Sequence, residues 1–381
     1  MKRILCTVFQ TFFYSFLAVG LVSCIDVPAQ GEQLQSVPIP ETSIPKQVPT
    51  ETRTVDAAIS IPTLTLTVAP HPIRIDNKNA SHIKLVRQVS QPNPFHVDWS
   101  SDSSMLGAVS QVDSNQATVI LYRSKILDVF SSTVLQQPYI LLDYSPNGRI
   151  VALSTDFTAI DLRDMTSGKS LRTLAPGIFT AATFSPDGKL LAVCSGEMIK
   201  VSIYDVSSGT LLRTVTGYDT AAPVYDAFLT QDDGSLVWHS RSNIRLMRLF
   251  DQVFGPDLEH EDFVIAIDLS QDMQMLAAAT DGTIGNEIVT YIQLWDPASG
   301  KALGRLLTGQ DMAQSISFSP DGTLLAAGAG KKLFIWDTTS QQLLFEYEIF
   351  DAVNSLAFAP DGMTLAVASA DGTLSMWQTS E

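Results

Sequence analysis

The sequence predicts an all-β fold, a closed ring of seven four-stranded blades, on three observations: a phrase that recurs, the spacing at which it recurs, and a strand missing from one end but present at the other. The phrase is ATFSPDGKLLAV (182–193), SFSPDGTLLAA (317–327) and AFAPDGMTLAV (357–367). Weaker copies read DWSSDSSMLGAV (98–109), DYSPNGRIVAL (143–153) and DLSQDMQMLAAA (268–279), with a stretched version at 232–237. Such repetition marks one supersecondary unit stacked many times, so its period sets the fold. Measured at the turn position (Ser103, Gly148, Gly188, Gly234, Met273, Gly322 and Gly362), the steps run from 39 to 49 residues. That is close to the roughly 40–45 residues of one propeller blade.

Each element of the unit has its own signal. A short apolar run supplies the first strand, and Pro-Asp-Gly supplies the hairpin turn, because Pro fixes φ and Gly takes a positive φ. The second strand follows at once. A third ends in an aromatic and Asp, as in IYD (203–205), LWD (294–296) and IWD (335–337). A Gly- or Ser-containing turn then leads to a fourth, as in SSGTLLRTV (207–215) and SGKALGRLL (299–307). The chain here resembles the WD40 repeat family, over residues 82–381, and the resemblance implies a seven-bladed WD40-like propeller.

The ends predict closure. The last unit stops at Glu381 with no fourth strand, and HIKLVRQVS (82–90), just before the first anchor, has the pattern of one. Pairing the two protects otherwise open sheet edges. Two departures from the family stand out. No Gly-His precedes a first strand (the corresponding loops read Gly177-Ile178, Gly217-Tyr218 and Gly309-Gln310), so the family's polar network is not expected. Blade 4 is irregular from Phe250 to Phe263.

Ahead of the propeller, Lys2 and Arg3 precede an apolar run from Ile4 to Leu21 and then Leu-Val-Ser-Cys (21–24), the pattern of a secretory signal. Those last four residues resemble the bacterial lipobox, which implies lipidation of Cys24. The expected division is a signal peptide over 1–23, a lipidated Cys and flexible stalk over 24–80, and the propeller over 81–381. Eight of nineteen prolines (Pro28, Pro38, Pro40, Pro45, Pro49, Pro62, Pro70 and Pro72) fall in a Pro/Thr/Ser-rich stretch, which reads as an extended or disordered stalk. With Cys6 in the signal and Cys24 lipidated, only Cys194 remains, expected as a small buried hydrophobe. The implied localisation is the cell envelope, lipid-anchored and facing outside the cytoplasm. Ile25, where an Asp would suggest inner-membrane retention, gives no such signal.

Losing residues 1–23 removes Lys2 and Arg3 and no acid, so the 24 basic and 40 acidic residues become 22 and 40, a formal charge of −18. Nucleic acid is an unfavourable partner for such a chain, since phosphate affinity rests on Lys and Arg.

Catalytic motifs are not found. Gly-x-Ser-x-Gly is absent. SGKS (167–170) has Arg163 where a phosphate loop needs Gly and lies in a strand-to-strand turn, which leaves Lys169 a solvated turn residue. His71, His82, His96, His239 and His260 show no metal-ligand spacing. His260 lies among Asp257, Glu259, Glu261 and Asp262, a cation or basic-partner site or, more simply, a solvated loop. Asp98, Asp143 and Asp268 share one place in their repeats, which suits an axial divalent ion less well than local backbone hydrogen bonding.

Function is therefore sought on loops held by the scaffold. By resemblance, DGTIGNE (281–287), Tyr218-Asp219 and Gln310-Asp311 lie on one face. That makes Asp281, Gly282, Asn286, Glu287, Tyr218, Asp219, Gln310 and Asp311 the candidate partner contacts. The expected role is a non-enzymatic, cofactor-free platform for another protein. The alternatives are a hydrolase- or lactonase-type propeller enzyme with its site at the channel mouth, or a small-ligand or polysaccharide receptor.

Overall fold

The computed structural model describes residues 72–380, apart from 114–115, 136–139, 155–157, 166, 176, 196–199, 217–225, 231–233, 241, 250, 252 and 285–286. Seven antiparallel sheets form in chain order. Blade 1 comprises Pro94–Trp99, Met105–Asp113, Gln116–Arg123 and Asp128–Leu135. Blade 2 has Ile140–Tyr144, Ile150–Ser154, Ile160–Asp164 and Ser170–Leu174. Blade 3 has Ala181–Phe184, Leu190–Ser195, Lys200–Asp205 and Leu211–Thr216. Blade 4 has Asp226–Leu229, Ser235–His239, Asn243–Arg248 and Leu258–Glu259. Blade 5 has Val264–Leu269, Leu276–Thr280, Thr290–Asp296 and Lys301–Gly309. Blade 6 has Ala313–Phe318, Leu324–Ala329, Lys332–Asp337 and Leu343–Glu348. Blade 7 has Val353–Phe358, Leu365–Ser369 and Thr373–Ser380, and takes its fourth strand, Lys84–Ser90, from the other end of the propeller.

Because each blade is an antiparallel meander, the first-to-second and third-to-fourth turns share one face of the ring, the turn face. The second-to-third loops and blade-to-blade connections share the other, the connection face. Both sides of every sheet meet a neighbour, so inner strands read as unbroken apolar runs rather than alternating ones. Leu276–Thr280 and Leu324–Ala329 are buried at every position, and their alanines let adjacent sheets approach closely.

Among the described residues the apolar interior divides into seven clusters, each lying between two neighbouring blades. Ala192, Cys194 and Ile203 of blade 3 pack on Leu229, Leu236 and Trp238 of blade 4, so Cys194 is the buried hydrophobe its sequence context suggests. The ring closes where Val97, Trp99 and Leu106 of blade 1 meet Ala366, Ala368 and Met376 of blade 7. Each large side chain buried this way contributes about 1.5–3 kcal/mol.

The turns explain the repeated phrase. Ser185 Oγ donates to Asp187 Oδ1 (2.7 Å) and accepts from Leu190 N (2.9 Å), and Asp187 Oδ1 accepts from Lys189 N (2.9 Å). The same lock recurs at Ser100, Ser145, Ser270 and Ser319. The turn residue has positive φ, 74° at Gly188, and two repeats hold a side chain there, Ser103 at 58° and Met273 at 60°. The Asp that ends a third strand holds the next turn: Asp205 accepts from the Ser207 and Ser208 hydroxyls and from Ser208 N, which hold its pKa down at about 2.

Two of the three shared aspartates, Asp143 and Asp268, link neighbouring blades. Asp143 Oδ1 accepts from Tyr144 N (2.6 Å), while Oδ2 accepts from Phe184 N of blade 3 (2.7 Å). Asp268 does the same with Leu269 N (3.0 Å) and Phe318 N of blade 6 (2.7 Å). Backbone bonding is thus their role, and it reaches the next blade as well as their own.

One boundary differs from the sequence reading. The stretch assigned to the stalk runs into residues that pack on the propeller. Pro72–Ile73 pairs with Thr379 and Ser380, Ile75 and Ala80 are buried between blades 6 and 7, and Asn77 Nδ2 donates to Asp337 Oδ2 (2.9 Å). Polar composition hid two apolar anchors, Ile75 and Ala80, too sparse to show a period. Blade 4 is irregular as expected. Its fourth strand has two residues, and Phe254 instead bridges to Met247 and packs edge-on against Trp238.

Asp268→Leu strands the buried Phe318 amide and is expected to cost about 2–3 kcal/mol, while Asp268→Asn, which keeps one acceptor, costs about 1 kcal/mol. Urea unfolding of both variants measures the difference; equal losses would show that the carboxylate acts only by filling space.

Candidate protein-binding face

The candidate contacts divide once placed on the connection face. Asp281 Oδ1 accepts from Phe263 N (3.1 Å), and Asp281 N donates to Phe263 O (3.2 Å), so this residue fastens its loop to the first strand of blade 5. Gly282 is buried, and a Cβ there would collide with the Asp262 carboxylate and the Tyr291 ring. Its conservation of space is a packing requirement. Beyond it, Thr283–Ile284 pairs with Glu287–Ile288 in a small hairpin. Gln310 and Asp311 are exposed in the connection from blade 5 to blade 6, where Asp311 O accepts from the Thr290 hydroxyl (2.6 Å). Tyr218, Asp219 and Asn286, like Cys24, lie outside the described residues.

Sequence reasoning missed Phe350, in the connection from blade 6 to blade 7, whose side chain is 91% exposed. Its backbone is held firmly. Ile349 N donates to Lys331 O (2.7 Å), Val353 N donates to Gly330 O (2.8 Å), and Lys331 Nζ donates to Phe350 O (3.1 Å). The neighbouring connection exposes Met312, and the one into blade 3 exposes Ile178. Asp311 packs against Gly330, and Asp351 pairs with Lys331 at 3.7 Å. The available signal was an aromatic following a fourth strand at a position with no core role.

The acidic patch around His260 is structural. Trp295 Nε1–H donates to His260 Nε2 (3.0 Å), with the rings edge-on at 5.2 Å. Asp257 pairs with Arg245 (2.9 Å), and Asp262 accepts from the Tyr291 hydroxyl (2.8 Å). One His-to-Trp contact therefore exists in blade 5, contrary to the expectation from the missing Gly-His pairs. Glu259 rather than Gly precedes the histidine, which concealed it. Burial lowers the His260 pKa to about 4 against the opposing pull of Asp262, so the ring is neutral near pH 7 and can accept through Nε2. His96 is buried between blades 1 and 2, stacked on Tyr144 at 5.7 Å, and neither ring nitrogen has a hydrogen-bond partner among the described residues. Burial takes its pKa to about 4 as well.

On the turn face, the axial channel opens into a cavity of about 220 Å³ lined by Asp98, Ser101, Pro186, Gln271, Pro320 and Pro360, among others. Asp98 Oδ1 accepts from Trp99 N (2.7 Å). Among the described residues no cluster of three or more His, Cys, Asp or Glu is placed to hold a metal ion.

Seven meanders around an axis define a β-propeller. Two of its repeats are matched by the family model for the WD domain, G-beta repeat, over residues 302–337 and 342–378. Each match starts in the fourth strand of one blade and ends in the third of the next, so the sequence repeat is staggered by one strand from the structural blade. Among similar proteins, the Periodic tryptophan protein 2 homolog of Schizosaccharomyces pombe is 37% identical over 99 residues, 26% of this chain and 12% of that one. The Serine-threonine kinase receptor-associated protein of Gallus gallus is 26% identical over 231 residues, 59% of this chain and 62% of the other. A WD repeat-containing protein of Synechocystis, sll1491, is 24% identical over 189 residues, 49% of each chain. The chain thus matches less than two thirds of the length of each of these relatives, and the shared repeats support a WD40 β-propeller family.

The two buried histidines predict an acid sensitivity. The unfolded chain takes up protons on these rings below about 6.5, whereas the folded protein does so only below about 4. Their contribution is fully present above pH 6.5 and is lost as pH falls from there to 4. His96→Phe, which keeps the stacking on Tyr144, should flatten the stability curve in that window by up to about one proton and raise the melting temperature at pH 5. An unchanged slope would mean that His96 is protonated in the folded protein.

Proposed function

We propose that the propeller is a platform for another protein, bound on the connection face around Phe350 and the Gln310–Met312 connection, and tethered at the cell envelope through lipid on Cys24. The observation that supports this most directly is Phe350, 91% exposed on a backbone fixed by hydrogen bonds to the neighbouring loop. An aromatic presented without freedom to retract offers contact area at small entropic cost to the binder. Asp311, Asp351 and Lys331 supply polar groups around it, the arrangement of an apolar anchor with a polar rim. The WD40 propeller fold is typical of protein-interaction scaffolds, and the acidic chain repels nucleic acid.

The tether follows from Lys2 and Arg3, the apolar run from Ile4 to Leu21 and the Leu-Val-Ser-Cys ending. A single acyl chain binds membranes weakly, so stable anchoring requires the further lipid that a modified N-terminal Cys can carry.

Crosslinking on intact cells, followed by mass spectrometry, compares the native chain with a Phe350→Ser, Met312→Ser double variant. One partner recovered by the native chain and lost from the variant is the expected result; identical sets from both place the binding surface elsewhere. Cys24→Ser is expected to move the protein from the membrane fraction to the soluble one, and unaltered membrane retention would eliminate the lipid anchor.

A further inference from the structure

The fourth strands form the rim of the ring, and each leaves one edge without a strand partner among the described residues. Exposed edges of this kind invite pairing with another chain unless they are short or carry charge. Six of the seven are guarded. Blade 2 carries Arg172 at the centre of Ser170–Leu174, and blade 3 carries Arg213 in Leu211–Thr216. Blade 5 has Lys301 and Arg305, blade 6 Glu346 and Glu348, and blade 7 Lys84 and Arg87. Blade 4 has two residues, one of them Glu259.

Blade 1 has no such guard. Asp128–Leu135 reads Asp-Val-Phe-Ser-Ser-Thr-Val-Leu, without charge from residue 129 onward. Its only charged residue, Asp128, is held by Arg123 at the start of the strand. Val129 is 53% exposed, Phe130 54%, Val134 50%, and Ile126 in the preceding turn 55%. A bulge at Phe130 interrupts the register, but bulges at the same point occur in blades 2, 3, 5, 6 and 7 and do not distinguish this strand. Beyond it, Ser131–Leu135 pairs regularly with Ala117–Leu121, which leaves a straight, uncharged edge about 17 Å long.

We propose that this edge pairs with its counterpart in a second copy of the chain, antiparallel and two-fold symmetric, so that the two blade 1 sheets join. The occupant follows from charge. A two-fold axis through an antiparallel pair sets each strand's central residues opposite themselves, so Arg172, Arg213 or Arg305 would face its own like charge across such a pair. At blade 1 the centre of Ser131–Leu135 is Thr133, flanked by Ser132 and Val134, so no charge meets its own copy there. A five-residue pairing is small for an interface, so the dimer is weak, with Kd on the order of 10–100 µM. Each copy carries a formal charge of −16, so salt strengthens the association by screening repulsion, the reverse of an interface built on ion pairs.

Sedimentation velocity of the full chain, in detergent where needed, tests this up to about 200 µM, some twofold above the weakest expected Kd. The native chain should show a reversible monomer–dimer equilibrium that shifts toward dimer between 0.05 and 0.5 M salt (both roughly chosen to span the Debye length). Val134→Lys, at a half-exposed position, should weaken it tenfold or more without lowering the melting temperature. Leu212→Lys, on the guarded rim of blade 3, should leave it intact. A chain monomeric throughout, or a dimer indifferent to Val134→Lys, overturns the proposal. So does protection from hydrogen exchange, in the monomer, of those alternate amides of 131–135 that point away from Gln116–Arg123, which would assign the edge to a strand from the chain's own N-terminal region.

Discussion

No blade of this protein can bury both of its faces alone, and every other feature follows from that constraint. A four-stranded sheet whose inner strands are apolar on both sides needs a neighbour on each side, and only a closed ring gives every sheet two. The seven apolar clusters all lie between blades, so the stability belongs to the interfaces. The loss of closure at the contact between blades 7 and 1 would expose two faces at once. Lys84–Ser90 completes blade 7, and Pro72–His82 straps it to blade 6. The point at which the first and last strands of the propeller meet is thereby bound on two sides.

Each sheet has an inner and an outer edge, and the two are satisfied by different means. The inner edge faces the axis, where backbone N–H groups must find acceptors or remain buried and unpaired. Side chains from the preceding blade supply them: Asp143 for Phe184 N, Asp268 for Phe318 N, Ser315 for Leu356 N at 3.1 Å, and Ser317 for Phe358 N at 3.3 Å. Between blades 7 and 1, Ser355 accepts from Val97 N (3.2 Å), and the Trp99 indole donates to Ala357 O (3.0 Å). Asp143, Asp268 and Ser317 share one repeat position, where either oxygen reaches the same kind of donor, and Ser315 and Ser355 share another, two residues earlier. The outer edge faces water, which satisfies its N–H groups, and the danger there is unwanted pairing. Charge rather than hydrogen bonding is what that edge requires.

Blade number, strand order and closure were legible because hairpin turns impose residue types at fixed intervals: a positive φ at Gly188 or Gly322 and the Ser-x-Asp lock cannot be satisfied by arbitrary sequence. The strap was not legible, since its anchors Ile75 and Ala80 follow no period. The His260–Trp295 contact was hidden because it joins a connection to a strand 35 residues further on. Asp281 and Gly282 show the limit of reading function from loops. Both residue types suit an exposed binding loop, yet one closes the loop on Phe263 and the other makes room for Asp262 and Tyr291. Phe350 is the converse, a residue type expected inside and found outside. Sequence gives the type, and only the fold tells whether a neighbour covers it.

That distinction bears on what the connection face can do. Polar residues there are largely engaged within the ring, as with Asp281, Asp262 and Tyr291, so their removal would disturb the scaffold before it disturbed a partner. Among the described residues, the large apolar side chains left exposed there include Phe350, Met312 and Ile178, each on a different blade-to-blade connection. Their mutual positions are fixed by interblade packing, and a partner meeting them gains several contacts while only its own freedom is lost. A rigid ring can thus bind through a few scattered apolar points with no deep pocket, and the acidic surface around them disfavours equally acidic competitors. The division of labour is between interfaces that hold the ring and the exposed apolar points of the connections, which the ring merely holds still and which are free to vary without cost to the fold.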